Sequence, residues 1–332
     1  MKLFTLFIFI MNGVPLLVSA QDKPVADTVK PPVKVKYWDI SGTTSLNFNQ
    51  ISFSNWVAGG EDAISGTAGL TLNANYKKNK ITFENSGLFS YGLIQSTEQG
   101  LRKMEDRLEI NSKLNYNAVK SWNYSFLVSL KSQFAPGYNY PDKVDVVSDF
   151  FAPAYLLMSL GIDYRPASFF SLFMSPATGR LTFVIDQNLA DQGAFGVRKA
   201  EVDAQGNIIS HGQTVKAEFG MSLNAYIKYE IMKNIVLDSR LILFDNYTDK
   251  VVSNRWNVDV DSETNLNFMV NRVFTATINA RFLYDDNIKI PKYDMVNGQR
   301  VKIGEGPRLQ IKEAFGIGMM MKFGSAKKAA TK

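Results

Sequence analysis

Ionisable side chains recur at every second position along several stretches of this chain, and that spacing says what chemistry they could do. Arg107, Glu109 and Lys113 alternate with Leu108, Ile110 and Leu114. Arg255, Asp259, Asp261 and Glu263 alternate with Trp256, Val258 and Val260, and Lys216, Glu218, Lys228, Asp238, Arg240 and Arg281 repeat the habit elsewhere. A period of two sends neighbours to opposite faces of a strand, so these residues share one polar wall. A wall of both signs can neutralise itself inside a closed lumen, or it can line a pathway whose charge pattern selects a solute. This is the chemistry of transit rather than of bond making.

Bond-making groups are sparse. The single histidine, His211, sits in Ser210-His211-Gly212-Gln213. A serine hydrolase needs that imidazole within reach of a serine and oriented by a third group, and the chain has no Gly-x-Ser-x-Gly elbow. Asp142, Asp145 and Asp149, or Asp285 and Asp286, could offer hard oxygen ligands to calcium, although their spacing is not that of an EF-hand loop. Cysteine is absent, which removes disulfides, thiolate metal sites, a nucleophilic thiol and a lipid-anchoring cysteine. No enzyme activity and no cofactor are expected. The formal charge of +6 is spread among acidic residues, and its densest cluster, Lys77, Lys78 and Lys80, falls on a tight turn. Nucleic acid is therefore not an expected partner.

The elements that must position the polar wall are strands. The clearest segment runs from Trp122 to Phe134, with Trp122, Tyr124, Phe126, Val128 and Leu130 on one face and Asn123, Ser125, Ser129 and Lys131 on the other. One face suits lipid and the other water, as in a transmembrane β-barrel. Twelve strands are expected, at 44–55, 64–78, 80–92, 105–118, 121–134, 154–165, 168–175, 214–229, 235–247, 254–268, 272–284 and 308–323. The even-numbered strands end in very short links and the odd-numbered ones in long connections. Short periplasmic turns and long extracellular loops are the asymmetry of outer-membrane barrels, and a soluble sandwich has no reason to sort its loops by parity. Aromatics near segment ends, including Tyr116, Trp122, Tyr164 and Tyr229, suit interfacial girdles.

Residues 1–20 carry Lys2, an apolar run to Val18 and small residues at Ser19 and Ala20, which predicts a secretory signal peptide. Residues 21–36, rich in Pro, Val and Lys, read as a periplasmic linker, 37–323 as the barrel and 324–332 as a short tail. The last strand ends on Phe323, an aromatic of the kind the outer-membrane insertion machinery recognises. The connection from Pro176 to Gln213 contains the apolar run Leu181–Ile185 and is too long for a bare loop, so it should carry structure of its own.

Several stretches carry a family likeness: Asn49-Gln50-Ile51-Ser52-Phe53-Ser54-Asn55-Trp56-Val57-Ala58-Gly59-Gly60-Glu61, Gly100–Lys103, Gln133–Pro141, Phe151–Leu157, Ser175–Phe183, Asp191–Val197 and Tyr284–Ile290. In them the chain resembles a Bacteroidota family catalogued as domain of unknown function 3078. The resemblance implies an outer-membrane β-barrel of a Gram-negative bacterium and brings no catalytic residues. Trp56 with Gly59-Gly60, and Pro136-Gly137-Tyr138 with Pro141, suggest shaped loops that either fold inward to constrict or cap the barrel or simply pack on one another. The expected fold is thus an antiparallel transmembrane β-barrel. Its expected role is a pore for a small polar or amphipathic solute, or else a non-conducting subunit of a larger outer-membrane complex. The expected partners are outer-membrane lipid, the insertion machinery, that solute, and possible companion proteins.

Overall fold

The computed structural model describes residues 36–52, 62–140, 143–249, 251–288, 290–296 and 299–324. Within them, twelve antiparallel strands close into one barrel. They are β1 (Trp38–Ile51), β2 (Ala63–Lys78), β3 (Ile81–Ser96), β4 (Gly100–Val119), β5 (Trp122–Ser132) and β6 (Ala154–Ala167). The ring continues with β7 (Phe170–Phe183), β8 (Val215–Met232), β9 (Ile235–Asn246), β10 (Asp259–Met269), β11 (Phe274–Tyr284) and β12 (Gln310–Gly324). Every strand pairs with its sequence neighbours, and β1 pairs with β12 to leave no edge. Closure satisfies every ladder from within, which a strand in hydrocarbon requires. The expected signal peptide, the linker apart from Lys36, the Trp56-Gly59-Gly60 loop, Pro141, Asp142 and the tail beyond Gly324 lie outside the described residues.

At one end the strands turn tightly. Lys78 pairs with Ile81 around Asn79-Lys80, and Val119 with Trp122 around Lys120-Ser121. Asn79 (φ 52°), Lys120 (φ 48°) and Asn234 (φ 65°) take the left-handed backbone that such turns demand, a state asparagine tolerates better than most residues. In the turn between β10 and β11, Val273 and Phe274 donate their N–H groups to Asn271 Oδ1. The expected sorting of links by parity is present, with one exception at the other end.

That exception is between β3 and β4. The stretch Gly92–Glu105 was expected as a loop, yet both strands run on through it, and Ser96 pairs with Gly100. A register shift between Gly92 and Leu93 changes the phase of the alternation there, which hides the strand from a period-two reading. A second correction concerns β7, expected to stop at Ser175 but extending to Phe183 through Pro176. Proline cannot donate to a ladder. The pairing skips it on both sides, passing from Ala177 to Met174 against β6 and from Thr178 to Ser175 against β8. The facing strand passes close at this bulge, where a Cβ on Gly161 would lie 2.1 Å from the Met174 carbonyl oxygen. Glycine is the residue that permits the approach.

The connection after β7 carries structure as expected. Helix α1 (Gln187–Gln192) is capped by Asp186, whose side chain accepts from Leu189 N–H, and ends at Gly193. A small ribbon pairs Glu201–Val202 with Ile208–Ser210. Ala152, Val184, Leu189, Ala190 and Val197 pack into a small apolar core above the barrel end. Gly137 and Tyr138 form another ribbon with Val146–Ser148.

Outside, the barrel presents apolar side chains to the surroundings. Ile110, Leu114, Phe126, Leu160, Ile278, Phe315 and Ile317 are all exposed. Near the tight-turn end, Trp122 stacks on Tyr164 with ring centroids 4.5 Å apart, Trp38 meets Tyr76 at 5.3 Å and Phe169 meets Tyr229 at 5.1 Å. An apolar band bounded by aromatics is the surface a bilayer matches.

Candidate site: the interior of the barrel

The inward row of β4 is set by its pairing. Glu109 and Lys113 oppose Leu88 and Glu84 on β3, and Lys131 and Leu127 on β5. Arg107 then reaches across the barrel. Its Nη1 and Nη2 donate to Glu263 Oε1 and Oε2 of β10 at 2.8 and 2.6 Å, and its Nε donates to Glu109 at 2.8 Å. In the ring of twelve, β4 and β10 stand opposite one another. Twelve strands about 4.8 Å apart and tilted about 40° would close into a round barrel roughly 24 Å across. An arginine and a glutamate joined head to head span at most roughly 15 Å between Cα atoms. The barrel is therefore pinched along the line from β4 to β10, which leaves two lobes.

The first lobe, walled by β5 to β9, is filled. Lys131 Nζ reaches Asp261 at 2.7 Å, and Arg240 reaches Glu109 at 3.2 Å. Arg180 bridges Glu218 (2.8 Å) and Asp259 (2.6 Å) while lying 4.2 Å above the Phe244 ring, and Lys216 adds a contact to Glu218 at 2.8 Å. Towards the tight turns, Arg165 is bidentate to Glu84 and Lys113 pairs with Asp163 at 2.9 Å. Between them Ser159, Thr178 and Ser222 share hydrogen bonds of 2.9 and 3.0 Å. Phe173, Ser159, Thr178 and Asp163 are at most 1% exposed.

The second lobe, walled by β11, β12, β1, β2 and β3, differs. Its inward residues are short and mostly neutral: Ser45 and Asn47 on β1, Thr67 and Thr71 on β2, Ser90 on β3, and Gly316 on β12. They remain half-buried rather than buried, and the inward Ala314 is exposed. A Cβ on Gly316 would meet nothing nearer than Asn47, at 3.7 Å. A cavity borders this lobe near each end of the barrel. One of about 430 Å³ lies at the tight-turn end against Met269, Thr275, Met320 and Lys322. One of about 250 Å³ lies at the loop end against Glu105, Arg107, Arg281 and Lys312. Lys312 and Glu105 pair across that second mouth.

Of the residues expected on the inner wall, Arg107, Glu109, Lys113, Lys216, Glu218, Arg240, Asp259, Asp261, Glu263 and Arg281 all enter this network. Arg255 does not. It belongs to a 3₁₀ turn (Val252–Trp256) before β10, where its Nε donates to the Asp249 carbonyl. The alternation of side chains runs on past the start of the strand, so spacing could not show where pairing begins. Arg165 and Arg180 went unread because each sits in a segment where a bulge interrupts the period.

His211 lies on the loop after α1, mostly exposed, with Nδ1 2.9 Å from Asp191 Oδ2. Among the described residues no serine hydroxyl bonds to it. Asp191 Oδ1 also accepts the Gly212 N–H at 2.7 Å. That backbone bond, then the His211 contact, hold its carboxyl below the usual aspartate range. A depressed carboxyl supports the loop above the ordinary value of 3.8 and loses that support as pH falls through its own lower value. Amide exchange at Gly212, corrected for its intrinsic rate, should therefore quicken on acidification, and Asp191→Asn should quicken it already at neutral pH. Unchanged exchange in both cases would show that the bond does not hold the loop.

Asp149, Asp285 and Asp286 make separate local contacts. Asp149 Oδ1 accepts from Phe150 N–H, Asp285 Oδ1 from Asn287 N–H and Asp286 from the Tyr284 hydroxyl. Among the described residues no three His, Cys, Asp or Glu side chains are placed to share a metal ion.

The sequence has no match among curated proteins. Among solved structures the chain is similar to an outer membrane channel from Pseudomonas putida F1, at 12% identity and a TM-score of 0.39, over 89% of this chain and 100% of that one. It is also similar to the NanC porin (10% identity, TM-score 0.33, 85% of this chain and 100% of that one). A third is the TodX monoaromatic hydrocarbon channel deltaS2 mutant (8% identity, TM-score 0.30, 86% and 89%). Residues 48–138 match the model of the family described as "Protein of unknown function (DUF3078)", a span that takes in the first two stretches of the resemblance and part of the third, and stops before the other four.

Proposed function

We propose that this chain is an outer-membrane pore for small polar solutes, exported by the signal peptide at residues 1–20 and, as the resemblance implies, of Bacteroidota origin. The observation that supports this most is the opposition of its two surfaces, an apolar exterior such as Phe126 and Phe315 around an interior of charged, hydroxyl and amide groups. A barrel needs a polar interior of that extent when water or solute shares the space. The test is single-channel recording of the refolded full chain in a planar bilayer, with swelling of protein-loaded liposomes in arabinose alongside. Discrete steps and swelling faster than in protein-free liposomes are expected. Silence in both would overturn the reading.

A second reading, a non-conducting subunit of a larger complex, draws on the small core of Ala152, Val184 and Leu189 built above the barrel end. A silent bilayer, together with comigration of the chain with a fixed companion in native outer membranes, would favour it.

A further inference from the structure

The pinch between β4 and β10 makes the two halves of the interior unequal, and the inequality names a route. In the first lobe arginines and lysines meet carboxylates, with Phe173 and Phe244 beneath Lys113 and Arg180, and groups such as Ser159, Thr178 and Asp163 show no solvent exposure. Solute crossing there would have to separate buried ion pairs and leave charges without partners, which is strongly unfavourable. In the second lobe serine and threonine side chains are too short to reach the opposite wall, and glycines add none. Ser45, Asn47, Thr67, Thr71 and Ser90 each keep part of their surface accessible, although Ser65, Gly92 and Gly318 are buried, and a cavity borders the lobe near each end of the barrel.

We propose that passage runs off-centre through this second lobe, and that the lobe favours uncharged, hydroxylated solutes. This rests on the pore reading and specifies its path and substrate class. The lining from Ser41 to Asn47, Ser65 to Asn75, Ser86 to Gly92 and Ala314 to Gly318 holds no ionisable inward side chain. Hydroxyls and amides both donate and accept, so they can replace the water lost by a polyol or sugar. An ion receives no opposite charge from these side chains. The ionic groups that border it are occupied with one another: Arg281 with Asp261, Lys312 with Glu105, and Glu84 with Arg165. Lys322, directly opposite Thr43, and Asp39, directly opposite Asn75, flank the tight-turn end of this lining, and the wholly neutral part runs from Ser45 towards the loop end.

The absence of cysteine makes the route directly testable. Single cysteines are placed in the second lobe (Ala314→Cys, Thr71→Cys) and the first (Ser159→Cys, Thr178→Cys), and the folded full-length protein in liposomes is treated with a cationic methanethiosulfonate. Thiol reactivity follows access, so labelling at Ala314→Cys and Thr71→Cys should be at least about tenfold faster than at the first-lobe pair. Swelling in arabinose should fall to less than about half after labelling of Ala314→Cys, and the untreated protein should pass arabinose and glycerol faster than lysine or glutamate. Equal labelling in both lobes, or undiminished swelling with the second lobe labelled, would overturn the route. Faster passage of the charged solutes would overturn the substrate class. If the unmodified protein passes nothing, the pore reading and the route fail together, whereas a labelled but unblocked second lobe removes the route alone.

Discussion

Arg107→Ala is expected to destabilise the barrel by about 3–5 kcal/mol, the cost typical of leaving a buried charge without its partner. Arg107 binds two carboxylates, Glu263 from the opposite wall and Glu109 from its own strand, with side-chain exposures of 14, 12 and 3%. Without the guanidinium these acids face each other across the pinch, with Arg240 as the next cation, at 3.2 and 3.4 Å. The double variant Arg107→Met/Glu263→Met removes both charges at comparable volume and should lose much less, because replacing a buried pair is far cheaper than breaking one. Urea unfolding of the refolded protein, followed by tryptophan fluorescence, gives both values. A double variant as unstable as Arg107→Ala would mean that the brace matters for shape, not for charge compensation.

The contrast between what the sequence disclosed and what it hid follows from range. Period-two alternation is local, so strands such as β5, where Trp122, Tyr124 and Phe126 face out and Ser125 and Ser129 face in, are legible from neighbours alone. The tight turns are local too, and Asn79 and Asn234 mark two of them. The bulges are not local. Spacing ends β7 before Pro176, a residue that cannot donate to a ladder, and only the register of both neighbouring strands shows that it is skipped. Gly92 and Leu93 hid the far ends of β3 and β4 in the same way. The inner wall was legible as a set of residues but not as an arrangement. That Arg107 meets Glu263, 156 residues away, depends on closure, shear and the pinch, which no window of sequence contains. The division into a filled and an open lobe was invisible for the same reason, since Ser45 and Ser159 look alike until their opposite walls are known.

The membrane assignment itself carries the second large prediction. Phe126 lies near the middle of β5, faces outward and is exposed. If lipid covers it, Phe126→Arg should cost about 2–4 kcal/mol, the penalty for a cation near the bilayer midplane. Ala314 is exposed as well, but it faces into the second lobe. Ala314→Arg puts the same charge into water and should change stability by less than about 1 kcal/mol, within the usual range for substitutions at solvated positions. The two variants add the same group to two exposed sites, so their difference isolates the surroundings. Reversible unfolding in phospholipid vesicles measures it. Similar costs at both positions would mean that the outer face does not meet hydrocarbon, and the barrel would then have to be explained as a water-soluble one whose apolar band is covered by protein.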